Sequence, residues 1–265
     1  MAKRAAQRAG RRAHKHSDFT YQQSEIEADN VRRLFDEPQW SPIANQRSHT
    51  PEGGGTGQKY RKNIRPQNEN QQHLLDAIDA SPLVFAIGAA GTGKTYLAIA
   101  KAVEALEMGK VSRIVLSRPA VEAGESLGFL PGDMEDKLSP YLRPLYDALC
   151  DRLSTKRLKA LTAEGVIEIA PIAYMRGRTL NNAYVVIDEA QNCTYAQLKM
   201  LLTRLGWSST MVVTGDPAQS DLLPGLSGLG DIAKKLEPLD SVAQVAFDRT
   251  DVVRHPVVAE MIDLL

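Results

Sequence analysis

After Asn63 the chain alternates between short apolar runs and stretches whose apolar residues recur at helical spacing. LVFAI (83–87), RIVLS (113–117), VIEIA (166–170), YVVID (184–188), TMVVT (210–214) and VAQVAF (242–247) are rich in β-branched residues and too short for helices, so each predicts a strand. Helices are predicted at Thr95–Leu106, Thr194–Leu205 and Ser227–Leu236. Runs with so little polar alternation need cover on both faces. Strands separated by helices then build an α/β fold around a central, mostly parallel sheet, in which ligands collect at the carboxyl ends of the strands.

The first 62 residues have another texture. MAKRAAQRAGRRAHKHSDF offers little apolar surface beyond alanine to offset the entropy of ordering, so it is expected to be a flexible basic tail. A weak helical pattern follows at Tyr21–Phe35, carried by Ile26, Val31, Leu34 and Phe35, and PEGGGTGQ reads as a linker. The expected organisation is a basic N-terminal tail and linker over 1–62 and one nucleotide-binding domain over 63–265. The chain is formally neutral, yet residues 1–65 hold thirteen Lys and Arg against seven Asp and Glu, roughly +6. Such an end suits phosphates or other anionic surfaces, and equally a solubilising role.

Of 265 residues 43% are hydrophobic, enough for a substantial core. The two cysteines, Cys150 and Cys193, are far apart and form no metal-like pattern with the five histidines, which fits a reducing cytoplasm. No apolar stretch reaches the roughly 18 residues of a membrane span, and no apolar signal core follows the basic start, so no membrane partner is expected.

The chemistry concentrates where strands end. GAAGTGKT, from Gly88 to Thr95, matches the phosphate-loop pattern between a buried strand and a helix. Backbone N–H groups of Gly88, Ala89, Ala90, Gly91, Thr92 and Gly93 would cradle phosphate, aided by the helix dipole. Lys94 would reach the β- and γ-phosphates of a bound nucleotide, and the Thr95 hydroxyl would ligate Mg2+. Asp188 ends the YVVID strand as a second candidate magnesium ligand, and Glu189 would face the γ-phosphate to orient or deprotonate a water. One strand later, in TGDPAQSDL, the Gln219 amide can donate to the γ-phosphate and accept from the attacking water. Gly215, Asp216 and Pro217 also suit a plain turn, and a turn can position that amide.

GAAGTGKT, SRPAVEAGESLGFLPGD, IAYMRGRTL, IDEAQN, TGDPAQSDL and DVVRHPVV together resemble the PhoH family of ATPases, related to the first helicase superfamily. The resemblance runs from about Asn63 to Leu265. It implies a RecA-like core, ATP hydrolysis and a role in RNA metabolism or rRNA maturation. Through it, Gln71 in IRPQNENQ is a candidate adenine contact, unless that segment is only a polar helix start around Asn68. Arg254 in DVVRHPVV is a candidate γ-phosphate contact, acting as an arginine finger. Related helicases take such an arginine from a second domain, so a homo-oligomer such as a hexameric ring would let Arg254 reach a neighbour's ATP. A contact within one chain, or an ion pair with Asp251, is the alternative.

The same resemblance places a nucleic-acid loop after RIVLS. Arg118 could bind a phosphate there, with Gly124 and Gly128 permitting close approach, or could pair with Glu122 or Glu125. Tyr174, Arg176 and Arg178 combine stacking and phosphate contact for single-stranded RNA, and Arg178 could instead meet a neighbouring subunit. The leading expectation is an oligomeric, helicase-like ATPase acting on RNA. The alternative is an ATP-controlled assembly switch acting on an endoribonuclease or ribosome-associated protein. A kinase is less well matched, since no acceptor pocket is legible. No nuclease-type carboxylate cluster is legible outside the core.

Overall fold

The computed structural model describes residues 64–119 and 134–253, and of 134–140 the backbone alone. The expected tail, the Tyr21–Phe35 helix, the linker, Gly124, Gly128 and Arg254 lie outside the described residues.

All six expected strands are present: β1 (Leu83–Gly88), β2 (Arg113–Ser117), β3 (Ile167–Ile169), β4 (Ala183–Ile187), β5 (Thr210–Gly215) and β6 (Val242–Phe247). They form one sheet in the order β3-β2-β4-β5-β1-β6, with every pairing parallel. One strand, β5, separates the phosphate-loop strand β1 from β4, which is a RecA-like order. All carboxyl ends therefore lie at one edge.

Two helical layers close the faces. Phe85, Val115, Val185, Ile187, Met211 and Val213 point one way, into a core shared with Leu198 and Leu201 of α5 (Tyr195–Leu202) and Leu229 and Ile232 of α6 (Leu229–Leu236). Their alternates Val84, Ala86, Ile114, Leu116, Val186 and Val212 are buried on the side of α2 (Lys94–Glu107), which packs on β4, β2 and β5. Burial on both faces is why these strands read as unbroken apolar runs.

Three further helices complete the fold: α1 (Glu69–Ala80), α3 (Met134–Arg152) and α4 (Thr155–Ala163). Asn68 caps α1 by accepting from the Gln71 N–H, so the helix start foreseen at Asn68 is present. Two helices are shorter than their periodicity suggests. α5 stops at Leu202, and α6 begins at Leu229 because Ser227 is bridged to Thr194 and the Gly228 N–H donates to Cys193 C=O. A Cβ at Gly228 would lie 2.3 Å from the Tyr195 Cα, so only glycine permits that crossing.

Candidate functional site

The phosphate loop is fastened from three sides. β1 and β6 are in register at Gly88 and Phe247, and a Cβ on Gly88, at φ +133°, would sit 1.9 Å from the Phe247 carbonyl oxygen. α1 holds the loop from outside, with Gln71 Nε2 donating to Thr92 C=O at 2.9 Å. The Val253 N–H donates to Gly91 C=O at 3.0 Å, tying in the end of the described chain.

Lys94 opens α2 and is only 7% exposed. Its Nζ donates to Gly88 C=O at 2.7 Å, Ala89 C=O at 2.6 Å and Thr92 Oγ1 at 3.2 Å, so all three ammonium donors are held by the loop itself. Burial pulls its pKa below the usual lysine value, against the opposing pull of Asp216, Glu189 and Asp188.

Asp188 follows β4, and its N–H still donates to Ser117 C=O at 2.8 Å, which fixes the residue beside the end of β2. One carboxylate oxygen, Oδ1, accepts from Thr95 Oγ1 at 2.6 Å and Thr214 Oγ1 at 2.8 Å. Glu189 then adopts a left-handed backbone, φ 52° and ψ 41°, an uncommon conformation for a non-glycine residue. Its Oε2 accepts from Gln191 Nε2 at 2.5 Å, while Gln191 Oε1 accepts from the Asp216 N–H at 3.0 Å.

Ala90, Gly91, Gly93, Lys94, Thr95, Tyr96, Asp188, Glu189, Thr214, Gly215, Asp216 and Gln219 line one cleft of about 240 Å³. The structure thus brings the loop, both carboxylates and Gln219 together at the carboxyl edge of the sheet. Gln219 ends a 3-10 turn (Pro217–Gln219) whose Asp216 side chain accepts from the Ala218 N–H, so the turn and the exposed amide coexist.

Gln71 stands differently. It is 4% exposed, its Oε1 accepts from the Gln67 N–H at 2.8 Å, and it is absent from the residues lining the cleft. Both ends of its amide reach the backbone, Nε2 to Thr92 and Oε1 to Gln67, so the geometry gives it a bracing contact beside the loop. Arg254 lies outside the described residues. Its alternative partner Asp251 is 5% exposed and uses Oδ2 to accept from Asn70 Nδ2 at 2.8 Å and the Asp248 N–H at 3.0 Å.

Of the arginines read as nucleic-acid contacts, Arg118 turns toward the cleft: NH1 lies 3.5 Å from Asp188 Oδ2 and NH2 3.5 Å from Glu189 Oε1. Arg178 grips Glu168 with both guanidinium nitrogens, at 2.5 and 2.6 Å, and is not a free phosphate ligand. Tyr174, 59% exposed, and Arg176 stand on the turn after β3, at the same sheet edge as the cleft.

Sequence reading missed Gln191, Thr214 and the pair Asn192–Asp221. Asn192 Nδ2 donates to Asp221 Oδ2 and its Oδ1 accepts from the Asp221 N–H, both at 2.8 Å. The available signal was their position, each within a few residues of a strand's carboxyl end.

Thr95 Oγ1 and Asp188 Oδ1 are hard oxygen donors at the mouth of α2. Among the described residues no three His, Cys, Asp or Glu side chains cluster into a metal cage. So sparse a donor set fits magnesium, which keeps several waters and shares phosphate oxygens. Among the described residues no helix is long and apolar enough to cross a membrane.

A parallel sheet with one strand between a phosphate-loop strand and an Asp-Glu strand defines a RecA-like phosphate-loop domain. The chain belongs to the PhoH family, whose model, described as PhoH-like protein, matches residues 63–265. A PhoH-like protein of Bacillus subtilis (strain 168) is 56% identical over 203 residues, covering 76% of this chain and 64% of that protein. One from Mycobacterium tuberculosis (strain ATCC 25618 / H37Rv) is 57% identical, covering 76% and 58%. Protein PhoH of Escherichia coli (strain K12) is 50% identical over 194 residues, covering 72% and 55%. The chain spans less than two thirds of the length of these relatives. Among solved structures, a large terminase from a thermophilic bacteriophage aligns with a TM-score of 0.48 and 12% identity, over 75% of this chain and 50% of that one.

Proposed function

We propose that residues 63–265 bind and hydrolyse ATP and that the energy is used on single-stranded RNA. The observation that carries the hydrolytic half is the placement of Glu189. Its left-handed backbone and the Gln191 amide hold a carboxylate in the cleft, next to a second carboxylate that is already bonded to the Thr95 hydroxyl. Two adjacent carboxylates with different partners suit different tasks.

In this reading the loop N–H groups and Lys94 bind the phosphates, which requires the Lys94 ammonium to leave the Gly88 and Ala89 carbonyls. Magnesium, held by Thr95 and Asp188, would supply charge neutralisation of the phosphate oxygens. Glu189 orients a water and takes its proton as the new P–O bond forms at the γ-phosphorus and the bond to the ADP oxygen breaks. The exposed Gln219 amide bonds to that water and to the γ-phosphate. Gln71 keeps the loop in shape from behind. Arg254 completes the charge at the γ-phosphate from a neighbouring copy in a homo-oligomer, and mixing Arg254→Ala with Glu189→Gln protein tests this. Trans action predicts regained hydrolysis in the mixture.

The RNA half rests on Tyr174 and Arg176, a stacking group and a cation exposed at the edge where the cleft opens. The basic 1–62 segment adds sequence-independent attraction for the same polyanion. The decisive experiment is ATP hydrolysis by wild type and Glu189→Gln, each with and without single-stranded RNA. Hydrolysis stimulated by RNA and abolished by Glu189→Gln is the expected result. Hydrolysis that needs Glu189 but ignores RNA would replace the RNA motor with an ATP-controlled assembly switch.

A further inference from the structure

Asp188 is a nearly buried carboxylate, its side chain 4% exposed, and a buried charge needs a counter-charge. The two threonine hydroxyls that reach it, Thr95 and Thr214, both donate to Oδ1 and are neutral. In the neighbouring Glu189 the neutral Gln191 amide donates to Oε2. Among the described residues, that division leaves one oxygen of each residue, Asp188 Oδ2 and Glu189 Oε1, without a neutral donor. The guanidinium of Arg118 takes both, with NH1 and NH2 each at 3.5 Å. Lys94, a described cation lining the cleft, is turned to the Gly88 and Ala89 carbonyls. A planar fork suits this bridge, because its two nitrogens can address two separate carboxylates at once.

We infer that Arg118 is a built-in counter-ion of the Asp188–Glu189 pair that a divalent cation must displace, so that it sets how tightly the site holds metal. This rests on the reading of the cleft as a nucleotide site. A guanidinium within hydrogen-bonding reach of a carboxylate and a divalent cation on that same carboxylate are like charges a few ångströms apart, and they oppose each other. Without metal, Arg118 has the reverse effect. It cancels carboxylate charge that would otherwise repel phosphates entering the same cleft. Arg118 therefore favours metal-free nucleotide and disfavours bound metal, two effects of opposite sign from one side chain.

The test uses full-length wild type, Arg118→Gln and Arg118→Lys. Two affinities are read: fluorescent ADP in EDTA, and free Mn2+ titrated into ADP-saturated protein by electron paramagnetic resonance. Arg118→Gln should bind Mn2+ about fivefold more tightly and metal-free ADP about threefold more weakly, the scale of a partly exposed ion pair. Arg118→Lys keeps the charge but cannot bridge two carboxylates, so it should fall between. A merely structural lesion would lower both affinities together, and that result overturns the inference. So does an unchanged or weaker Mn2+ affinity in Arg118→Gln with ADP still bound. Failure of wild type to bind ADP under either condition would remove the nucleotide-site reading, and the inference with it.

Discussion

Gln191 donates to Glu189 Oε2 at 2.5 Å and at the same time accepts from the Asp216 N–H, so one buried amide joins the end of β4 to the end of β5. At 2% exposure it has few other conformations available. Glu189 is itself 38% exposed at the side chain, and free of that amide it would sample many rotamers. Gln191 is thus a positioning residue for the carboxylate. Gln191→Ala is predicted to lower kcat by about tenfold to a hundredfold, the usual cost of removing a partner that orients a functional group. KM for ATP should move little, since the phosphate loop is untouched. Steady-state kinetics separate the two parameters, and a comparable rise in KM with kcat unchanged would assign Gln191 to binding instead.

Gly88 carries the stability of the loop. Its φ of +133° and the 1.9 Å approach of a would-be Cβ to the Phe247 carbonyl exclude any side chain unless β1 and β6 part. Gly88→Ala is predicted to cost more than about 3 kcal/mol, in the range reserved for backbone strain combined with steric overlap. Urea denaturation measures it. A midpoint within error of wild type would mean that the two strands separate without cost.

The strands were legible because their apolar runs are bounded and buried on both faces, and phosphate-loop spacing alone marked Lys94 and Thr95. Helix ends were harder to read. Nothing local in the α6 sequence announces that Ser227 is claimed by Thr194 across the chain. The partners of Arg118 and Gln71 were illegible for one reason: a polar side chain on a loop or first turn advertises donors, and only the tertiary structure shows who accepts them. Arg118 found the cleft carboxylates, and Gln71 found the loop backbone. Gln191 went unnoticed because a glutamine next to a carboxylate pair is chemically mute until its two ends are traced to two strands.

Cys193 offers a check on the core behind the site. It is fully buried under the turn that carries Glu189, and burial pushes its thiol up to about 12. A raised thiol pKa means less thiolate, so at pH 8 only about one molecule in ten thousand would be ionised even if reagent could reach it. Iodoacetamide at pH 8 should leave Cys193 unmodified in the native protein and alkylate it in urea, as read by peptide mass spectrometry. Cys150 is half-buried and is raised by burial and by Asp147 and Asp151, so it should react slowly. Rapid native labelling of Cys193 would show that the turn bearing Glu189 opens readily.

The RNA reading can be tried on the turn after β3 without touching the cleft. Tyr174 and Arg176 are exposed, whereas Arg178 is spent on Glu168 and Met175 is fully buried beneath them, so the exposed pair sits on a braced platform. Tyr174→Ala combined with Arg176→Ala should weaken binding of single-stranded RNA by about tenfold, the scale of one lost stacking platform and one phosphate contact, and leave RNA-free hydrolysis unchanged. Arg178→Ala should act differently. By freeing Glu168 it unsettles the turn, lowering thermal stability along with RNA affinity. Deleting residues 1–62 should weaken RNA binding most at low salt, because it removes charge rather than shape. Fluorescence anisotropy across a salt series resolves these cases. If the double substitution leaves RNA affinity intact while the deletion abolishes it, the nucleic-acid surface belongs to the basic tail, and the turn after β3 needs another purpose.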